Sequence, residues 1–239
     1  MKRIKTFIEG FDEILHGGIP LGHVVLISGE PGTLKSSLAY SILHHNALTD
    51  GNEGLYITLE QGRKSLIEQM YSLGMDYENV KDKIGIIDFT LIRKKMKRIE
   101  HTTWLPILKL YISAMCKKNK EKAKLFVLDS LSVMEQISKM KDIRIELFHL
   151  FGWLRETDVT SFIVIEKDPD SNALCKHGED FLADGIIYLK NEKVDAIHRH
   201  RTICCLKLRS THHSTDELTL LAENAKFQVT RTLTERARI

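Results

Sequence analysis

The sequence predicts a doubly wound α/β fold, in which helices cover both faces of a mostly parallel sheet. Short apolar runs alternate with helical patterns along most of the chain. Each run is apolar at successive positions, which is typical of central strands that are buried on both faces. The alternation of such strands with helices indicates repeated βαβ units, and these produce a parallel sheet.

The strands and helices can be assigned in chain order. The predicted strands are residues 23–28, 54–59, 84–89, 125–129, 161–166 and 185–190. The predicted helices are residues 35–48, 64–73, 104–118 and 143–156, where apolar residues recur at intervals of three and four. The apolar stripe of the last helix consists of Ile143, Leu147, Leu150, Phe151 and Leu154.

The last part of the chain has a different pattern. Three strand-like runs, at residues 202–208, 217–223 and 227–233, are separated by only a few polar residues. Connections this short join antiparallel neighbours, because a parallel pair needs a long crossover. We therefore expect an antiparallel edge on the sheet. No internal repeat or convincing linker interrupts the chain.

Composition indicates one ordinary domain over residues 1–239. The chain has 43% hydrophobic and 28% charged residues, which is enough apolar material for a sizeable core. No apolar run approaches the ~20 residues of a membrane-spanning helix, and the amino terminus lacks the apolar core of a signal peptide. We expect a cytoplasmic protein that does not bind membranes.

The four cysteines support this expectation. Cys116, Cys175, Cys204 and Cys205 form no C-x-x-C pair. The adjacent pair has poor geometry for a disulfide or a zinc site. Buried free thiols are the favoured interpretation.

Basic residues are clustered although the net charge is only +3. The three clusters are residues 93–101, 117–124 and 198–201. A solvated helix face or loop is the default interpretation of each cluster, and a site for a polyanion is the alternative.

A phosphate-binding loop is indicated between the first strand and the first helix. Gly29, Lys35 and Ser36 fit the pattern Gly-x-x-x-x-Gly-Lys-Ser/Thr. A triphosphate needs inward backbone N–H groups, a lysine on the outer phosphates and a hydroxyl on Mg²⁺. The residues expected to contact nucleotide are Gly29, Glu30, Pro31, Gly32, Thr33, Leu34, Lys35, Ser36 and Ser37.

Leu34 departs from this pattern, because it stands where the second glycine belongs. Glycine is normal at this position since the chain passes tightly under the phosphates or adopts a positive φ. A leucine forced to positive φ would cost about 1–2 kcal/mol. This could weaken nucleotide affinity about tenfold. A degenerate loop that binds nothing is the alternative.

Six motifs in the same order resemble the KaiC-like family of RecA-fold ATPases, over nearly the whole chain. The opening phrase "IEGFDEILHGGIPLGHVVLISGEPGT" carries the likeness first. It continues through "ITLEQ", "LFVLDSLSV", "ELFHLFGWLRETDVTSFIVIEK", "HGEDFLADGIIYLKN" and "RHRTICCLKLRSTHH". The departures from the family pattern are Leu34, Gln61, Ser210 and His212.

The resemblance implies a RecA-type P-loop core that assembles as a ring, usually of six, with ATP and Mg²⁺ between neighbouring subunits. Asp129 would orient Mg²⁺ through water, and Ser36 would contact the metal. Asp129 also ends an apolar strand, where a carboxylate is costly unless it meets a cation or a donor. The alternative is an aspartate that caps the next helix, together with Ser130.

The resemblance also assigns the remaining site residues. Glu60 would be the general base or would orient the attacking water. Gln61 leaves only one carboxylate there, so we expect slow hydrolysis. Lys207 and Arg209 lie at i and i+2 of a strand and would reach the neighbour's γ-phosphate from one face, ordinary surface cations being the alternative. His213 would contact nucleotide or the neighbour, and Glu166 would lie near the phosphates as a sensor or form a salt bridge.

Three functions follow from these observations. The first is a slow oligomeric ATPase, and the second is a regulator in which ATP holds a ring together for a protein partner with little turnover. The third is a recombinase paralogue that binds single-stranded DNA through residues 93–98 and 117–124. Aromatic residues for stacking bases are scarce near these stretches, Trp104 being the nearest. The third function is therefore ranked last.

Overall fold

The structure is a computed structural model, and it describes residues 1–90, 104–119, 121–137, 142–167, 173–193, 195 and 197–231. The basic cluster at residues 93–101 lies outside the described residues. None of the described helices is both long enough and apolar enough to cross a membrane.

The described elements follow the predicted alternation of strands and helices. The strands are β1 Arg3–Ile4, β2 Ile8–Glu9, β3 Ile19–Pro20, β4 Val24–Gly29, β5 Glu53–Thr58, β6 Ile84–Asp88, β7 Ala123–Asp129, β8 Thr160–Glu166, β9 Gly185–Lys193, β10 Arg199–Leu208, β11 Leu218–Glu223 and β12 Lys226–Arg231. The helices are α1 Phe11–Ile14, α2 Lys35–Thr49, α3 Arg63–Ser72, α4 Trp104–Lys118, α5 Leu131–Ile137, α6 Ile143–Glu156 and α7 Glu179–Leu182, and a short 3₁₀ turn spans Tyr77–Asn79.

The central sheet has the predicted parallel body and antiparallel edge. Its strand order is β2-β12-β11-β10-β9-β4-β8-β7-β5-β6. Within the run β9-β4-β8-β7-β5-β6, each adjacent pair of strands is parallel. Strands β10, β11 and β12 are antiparallel, as expected for the C-terminal runs, and β2 adds a parallel pair outside them.

Apolar side chains pack on both faces of the sheet. Helix α2 covers one face with residues that include Leu38 and Ile42. Helix α6 covers the other face with Leu147, Leu150, Phe151 and Leu154, all buried, while Ile143 is half-buried against the same core. Each such side chain contributes roughly 1.5–3 kcal/mol when fully buried. The stripe predicted for α6 is confirmed.

The prediction for the cysteines is only partly correct. All four are free thiols. Cys204 and Cys205 are buried on β10, and burial raises the pKa of Cys205 to about 12. Cys116 and Cys175 are only half-buried. Cys116 lies near the end of α4, and Cys175 lies in a loop. Neither lies on a strand of the central sheet, where the two cysteines of β10 are buried.

Candidate phosphate-binding site

The carboxyl ends of four parallel strands meet at one edge of the sheet. The register pairs Gly29 of β4 with Glu166 of β8, and Thr58 of β5 with Asp129 of β7. Glu60 follows β5 after one intervening residue. Ligands bind at this edge in open α/β sheets. The edge therefore assembles residues that are distant in the sequence.

The loop between β4 and α2 has the backbone that its glycines predict. A Cβ atom at Gly29 would lie 2.3 Å from the carbonyl oxygen of Leu189, so a side chain cannot fit there. Gly32 has φ of +78°, in the left-handed region that favours glycine. Helix α2 begins at Lys35, directly after the loop, and its free N–H groups are available to an anion.

Leu34 has a positive φ, which is one of the two reasons for which glycine is normal at this position. Its φ of 70° and ψ of 25° place it in the left-handed region. The side chain is half-buried and packs against the core on the α2 face. This packing offsets part of the roughly 1–2 kcal/mol that the backbone conformation costs. The loop therefore keeps its turn without the second glycine.

Lys35 is held inside the loop. Its Nζ donates to the carbonyl oxygen of Glu30 at 2.8 Å, and the Thr33 hydroxyl donates to the same oxygen at 2.7 Å. Only 7% of Lys35 is exposed. Burial lowers the pKa of the ammonium group, and the negative charges of Glu166 and Glu60 partly offset this effect. Lys35 is thus a buried cation that faces two carboxylates.

Asp129 is buried at the end of β7. The Tyr56 hydroxyl donates to its Oδ2 at 2.6 Å, whereas its Oδ1 makes no hydrogen bond within the part of the chain that the structure describes. Burial raises the pKa of this carboxyl to about 6, although the bond from Tyr56, the nearby Ser36 hydroxyl and the charge of Lys35 lower it. The capping alternative is not supported for Asp129, because the hydroxyl of Ser130 is the group that accepts the N–H of Val133 in α5, at 3.4 Å.

One cavity of about 220 Å³ brings most of the predicted residues together. It is lined by Pro31, Gly32, Thr33, Leu34, Lys35, Ser36, Ser37, Glu60, Gln69, Asp129, Val164 and Glu166. The Ser36 hydroxyl and the Asp129 carboxylate are oxygen donors, which Mg²⁺ prefers. The buried Oδ1 of Asp129 without a donor fits a metal-bound water. These residues fit a magnesium ion.

Glu60 and Gln61 face different directions. The Ser130 hydroxyl donates to Glu60 Oε1, and Glu60 is exposed to the cavity. The Gln61 side chain instead donates to Gln69 Oε1 at 3.1 Å and accepts from the Ser65 hydroxyl at 3.4 Å, both on α3. Glu60 is therefore the carboxylate of this pair that a reacting water could approach.

Glu166 lies beside the loop, as expected for its position at the end of β8. Its backbone N–H donates to the Ser132 hydroxyl at 3.1 Å. Its charge is the largest of those that raise the pKa of Lys35. Glu166 is exposed and lines the same cavity as Lys35.

Lys207 and Arg209 share one face, as predicted, but the chain does not bring them to its own loop. Lys207 Nζ donates to the carbonyl oxygen of Asp180 at 2.7 Å. Arg209 donates to Asp184 Oδ1 at 3.0 Å and to the carbonyl oxygen of Phe181 at 3.2 Å. Both lie near the amino end of β4, because Leu208 pairs with Gly185 and Gly185 pairs with Val25.

The distance along β4 separates these two cations from the phosphate loop. Val25 and Gly29 are four residues apart, which corresponds to about 13 Å of parallel strand. The Nδ1 of His213 lies 3.1 Å from the carbonyl oxygen of Thr211. None of these three residues is among those that line the cavity at the loop.

Arg201 is a candidate residue that sequence reasoning did not select. Its Nε donates to the carbonyl oxygen of Gly32 at 3.3 Å. Arg201 belongs to the basic cluster at residues 198–201, which could have indicated its role. A site for a polyanion was one of the two interpretations of that cluster. Only the antiparallel course of β10 places this end of the cluster beside the loop.

A second cavity adjoins the loop at Leu34. Its volume is about 430 Å³, within the range of small-molecule sites. It is lined by Leu34, residues 71–76 and residues 222–227. A ligand whose phosphates lie in the loop could place its larger part here. Nothing in the sequence marked these two segments, because the β11–β12 turn approaches the end of α3 only in the folded chain.

The fold and this arrangement define a RecA-type P-loop protein. A buried strand runs into a glycine-containing loop and a helix that begins with lysine and serine, and an aspartate ends a nearby strand. The chain belongs to the KaiC ATPase family, since the sequence model described as "ATPase: KaiC" matches residues 4–232.

Individual relatives agree with this assignment. The chain is 33% identical over 221 residues to the circadian clock oscillator protein KaiC of Rippkaea orientalis, and the match covers 91% of this chain and 42% of that protein. It is 31% identical over 227 residues to the circadian clock protein KaiC2 of Synechocystis, covering 94% and 39%. The chain thus spans less than half the length of these curated relatives.

A solved structure supports the fold over its full length. A KaiC-like protein from the hyperthermophilic archaeon Pyrococcus horikoshii superposes with a TM-score of 0.81 and 29% sequence identity. The match covers 96% of this chain and 99% of that structure. The likeness is therefore to a KaiC-like chain of similar length as well as to part of the longer clock proteins.

Proposed function

We propose that this chain binds ATP with Mg²⁺ and hydrolyses it slowly, as an oligomer that holds ATP between neighbouring subunits, a ring of six being the expected form. The observation that carries this proposal is that Lys35, Ser36, Asp129 and Glu60 line the same cavity. We also propose a single domain over residues 1–239 and a cytoplasmic location, where free thiols persist.

The residues of the cavity suggest a division of roles. Lys35 would bind the outer phosphates, and the N–H groups of the loop would bind the others. Ser36 and Asp129 would hold Mg²⁺, Asp129 through water, and the ion would neutralise charge on the phosphates. Glu60 would accept a proton from the attacking water or orient it, with the Ser130 hydroxyl holding the carboxylate in place.

Two cations, Lys207 and Arg209, lie near the amino ends of the parallel strands, opposite the phosphate-binding loop. Their position suggests a role in the neighbouring subunit. Lys207 and Arg209 are too far from their own loop to reach phosphate, but each could complete the site of a second copy. There they would stabilise the charge that develops on the γ-phosphate. His213 would contact the nucleotide or the neighbour at the same interface.

The proposal is tested by ATP binding and phosphate release from purified protein. Lys35→Ala should weaken ATP binding more than tenfold, because it removes the cation on the outer phosphates. Glu60→Gln should bind ATP normally but release phosphate about 100-fold more slowly. Wild-type protein that behaves like Lys35→Ala in both assays would overturn the proposal.

Subunit mixing tests the interface. Lys35→Ala and Arg209→Ala should each be inactive alone, but a mixture should recover part of the wild-type activity. Some interfaces in the mixture would combine an intact loop with an intact Arg209. Arg199→Ala is the matched control, since Arg199 is an exposed arginine at the other end of β10. A mixture no more active than its components would exclude this role of Arg209.

A nucleotide-binding regulator with little turnover is the second candidate. The turn of Gln61 towards α3 favours it, since one carboxylate faces the cavity from this strand end. ATP should then increase the assembly mass of Glu60→Gln as much as that of wild type, in light scattering. Single-stranded DNA binding stays a prediction, testable by salt-dependent filter binding.

A further inference from the structure

Tyr56 is a fully buried tyrosine directly beneath the candidate magnesium site. It lies on β5 with none of its surface exposed, and its hydroxyl donates to Asp129 Oδ2 at 2.6 Å. Asp129 itself is 1% exposed. Hydrogen bonds to an ionised acceptor are short and strong, particularly where water is excluded.

The register of the two strands explains this contact. Tyr56 pairs with Val127, and Thr58 pairs with Asp129, so Tyr56 is one same-face position behind Asp129. Tyr56 and Val127 both face the core beneath α2. The long, rigid phenol therefore extends along the sheet to reach the carboxylate. The Tyr40 ring, with its centroid 5.8 Å from that of Tyr56, limits its movement.

The hydrogen bond makes the two carboxylate oxygens of Asp129 different. Oδ2 accepts the Tyr56 hydroxyl, while Oδ1 is buried without a hydrogen-bond partner among the described residues. An oxygen in this situation is costly unless a donor reaches it. A water bound to Mg²⁺ would be such a donor, and Ser36, whose hydroxyl would hold the ion, lines the same cavity as Asp129.

We propose that Tyr56 is a positioning residue for the magnesium site, which fixes Asp129 so that Oδ1 is presented to the metal-bound water. This inference rests on the proposed function. Residues that orient the groups around a metal typically change metal affinity 10–100-fold when they are mutated. Tyr56 would thus set how strongly Mg²⁺ supports nucleotide binding, without touching nucleotide itself.

Tyr40 provides a matched control in the same core. It is also fully buried, and its hydroxyl has no hydrogen-bond partner within the described residues. Tyr40→Phe and Tyr56→Phe therefore remove the same atom from neighbouring rings. Only the second change removes a bond to Asp129.

The experiment measures the affinity of a fluorescent ATP analogue in EDTA and in saturating Mg²⁺. The quantity compared is the affinity in Mg²⁺ divided by the affinity in EDTA. For Tyr56→Phe we expect this ratio to fall about tenfold from its wild-type value, with the affinity in EDTA nearly unchanged. Tyr40→Phe should keep the wild-type ratio. An unchanged ratio in Tyr56→Phe would overturn the inference, and so would an equal loss in both variants.

A double-mutant comparison separates positioning from general damage to the core. If Tyr56 acts through Asp129, Tyr56→Phe should have no further effect on the ratio when Asp129→Asn is already present. Additive losses would overturn the inference. Wild-type protein that binds no ATP analogue in either condition would instead overturn the proposed function, and this inference with it.

Discussion

The Nε of Arg201 donates a hydrogen bond to the carbonyl oxygen of Gly32 at 3.3 Å, so strand β10 is tied to the phosphate-binding loop. The guanidinium group is exposed at the mouth of the site, and its remaining donors can serve an anion. The contact restrains the loop at the residue that precedes Thr33 and the strained Leu34.

Arg201→Ala should weaken ATP binding about three- to tenfold, because an exposed hydrogen bond from a charged group is worth roughly 1 kcal/mol. Arg201→Lys should lose less ATP affinity, since lysine keeps the positive charge although it lacks the planar guanidinium group. Isothermal titration calorimetry at fixed ionic strength would measure both. Arg199→Ala is the control on the same strand, and equal losses in Arg199→Ala and Arg201→Ala would mean that only overall charge matters.

The strain at Leu34 is measurable by two substitutions at the same position. Leu34→Ala loses the packing against the core and keeps a Cβ at positive φ. Leu34→Gly loses the same packing and also relieves the backbone. The glycine variant should therefore be more stable than the alanine variant by about 1 kcal/mol, allowing for the greater entropy of unfolded glycine. Urea unfolding checks this, and an alanine variant of equal or greater stability would show that the leucine carries no strain.

Local features could be predicted from the sequence, whereas contacts that depend on the direction and register of the strands could not. The stripe in α6 and the loop from Gly29 to Ser36 are encoded by residues close together, so periodicity and spacing reveal them. Strand β10 has ten residues and extends about 30 Å. The basic residues of this strand and Arg209, directly after it, are close in the sequence, yet Arg201 reaches the loop while Lys207 and Arg209 lie at the opposite end of the parallel strands.

Pairs from distant segments were equally hidden. Asp129 could be assigned to the site from its place at the end of a strand, but its bond to Tyr56 depends on the register between β5 and β7. A buried tyrosine in an apolar run is indistinguishable from a core residue until its neighbour is known. The carboxyl groups of Glu135 and Glu179 likewise meet only in the folded chain.

Asp184 should stabilise the fold at neutral pH. It accepts hydrogen bonds from Arg155 Nε at 2.8 Å, from Arg209 Nη1 at 3.0 Å and from the N–H of Val24 at 3.0 Å. Burial alone would raise the pKa of the carboxyl, but these bonds outweigh it and the pKa is lowered. Because the folded-state pKa is lowered, the ionised carboxylate stabilises the fold at pH values above its ordinary pKa of 3.8. This contribution is lost as the pH falls through the folded-state pKa.

Asp184→Asn should therefore lower the free energy of unfolding by about 2–3 kcal/mol at pH 7, since it leaves two partly exposed arginines without their carboxylate. The loss should shrink in acid, where wild type also loses the charge. Urea unfolding at pH 7 and near pH 3 would measure it. Asp216→Asn, at an exposed aspartate, should change stability by less than about 0.5 kcal/mol, and an equal loss there would contradict the assignment.

Glu135 should make the protein less stable as pH rises. Its side chain is 9% exposed, its Oε1 has no hydrogen-bond partner among the described residues, and His177 Nε2 lies 3.6 Å from its Oε2. Burial raises its pKa from 4.5 to about 8, and the charge of the buried Glu179 acts in the same direction, whereas Lys176 opposes it. Because the folded-state pKa is raised, the contribution to stability is complete below pH 4.5 and is lost as pH rises towards 8.

Glu135→Gln keeps a neutral side chain of the same size at every pH, so it should remove this dependence. One proton changes the free energy of unfolding by at most ~1.4 kcal/mol per pH unit. Between pH 5.5 and pH 8.5 we expect wild type to lose about 3 kcal/mol more than Glu135→Gln, in urea unfolding at constant ionic strength. Glu156→Gln, at the exposed end of α6, should retain the wild-type slope. Parallel curves for wild type and Glu135→Gln would show that the carboxyl is ionised throughout this range and that Glu179 does not hold it neutral.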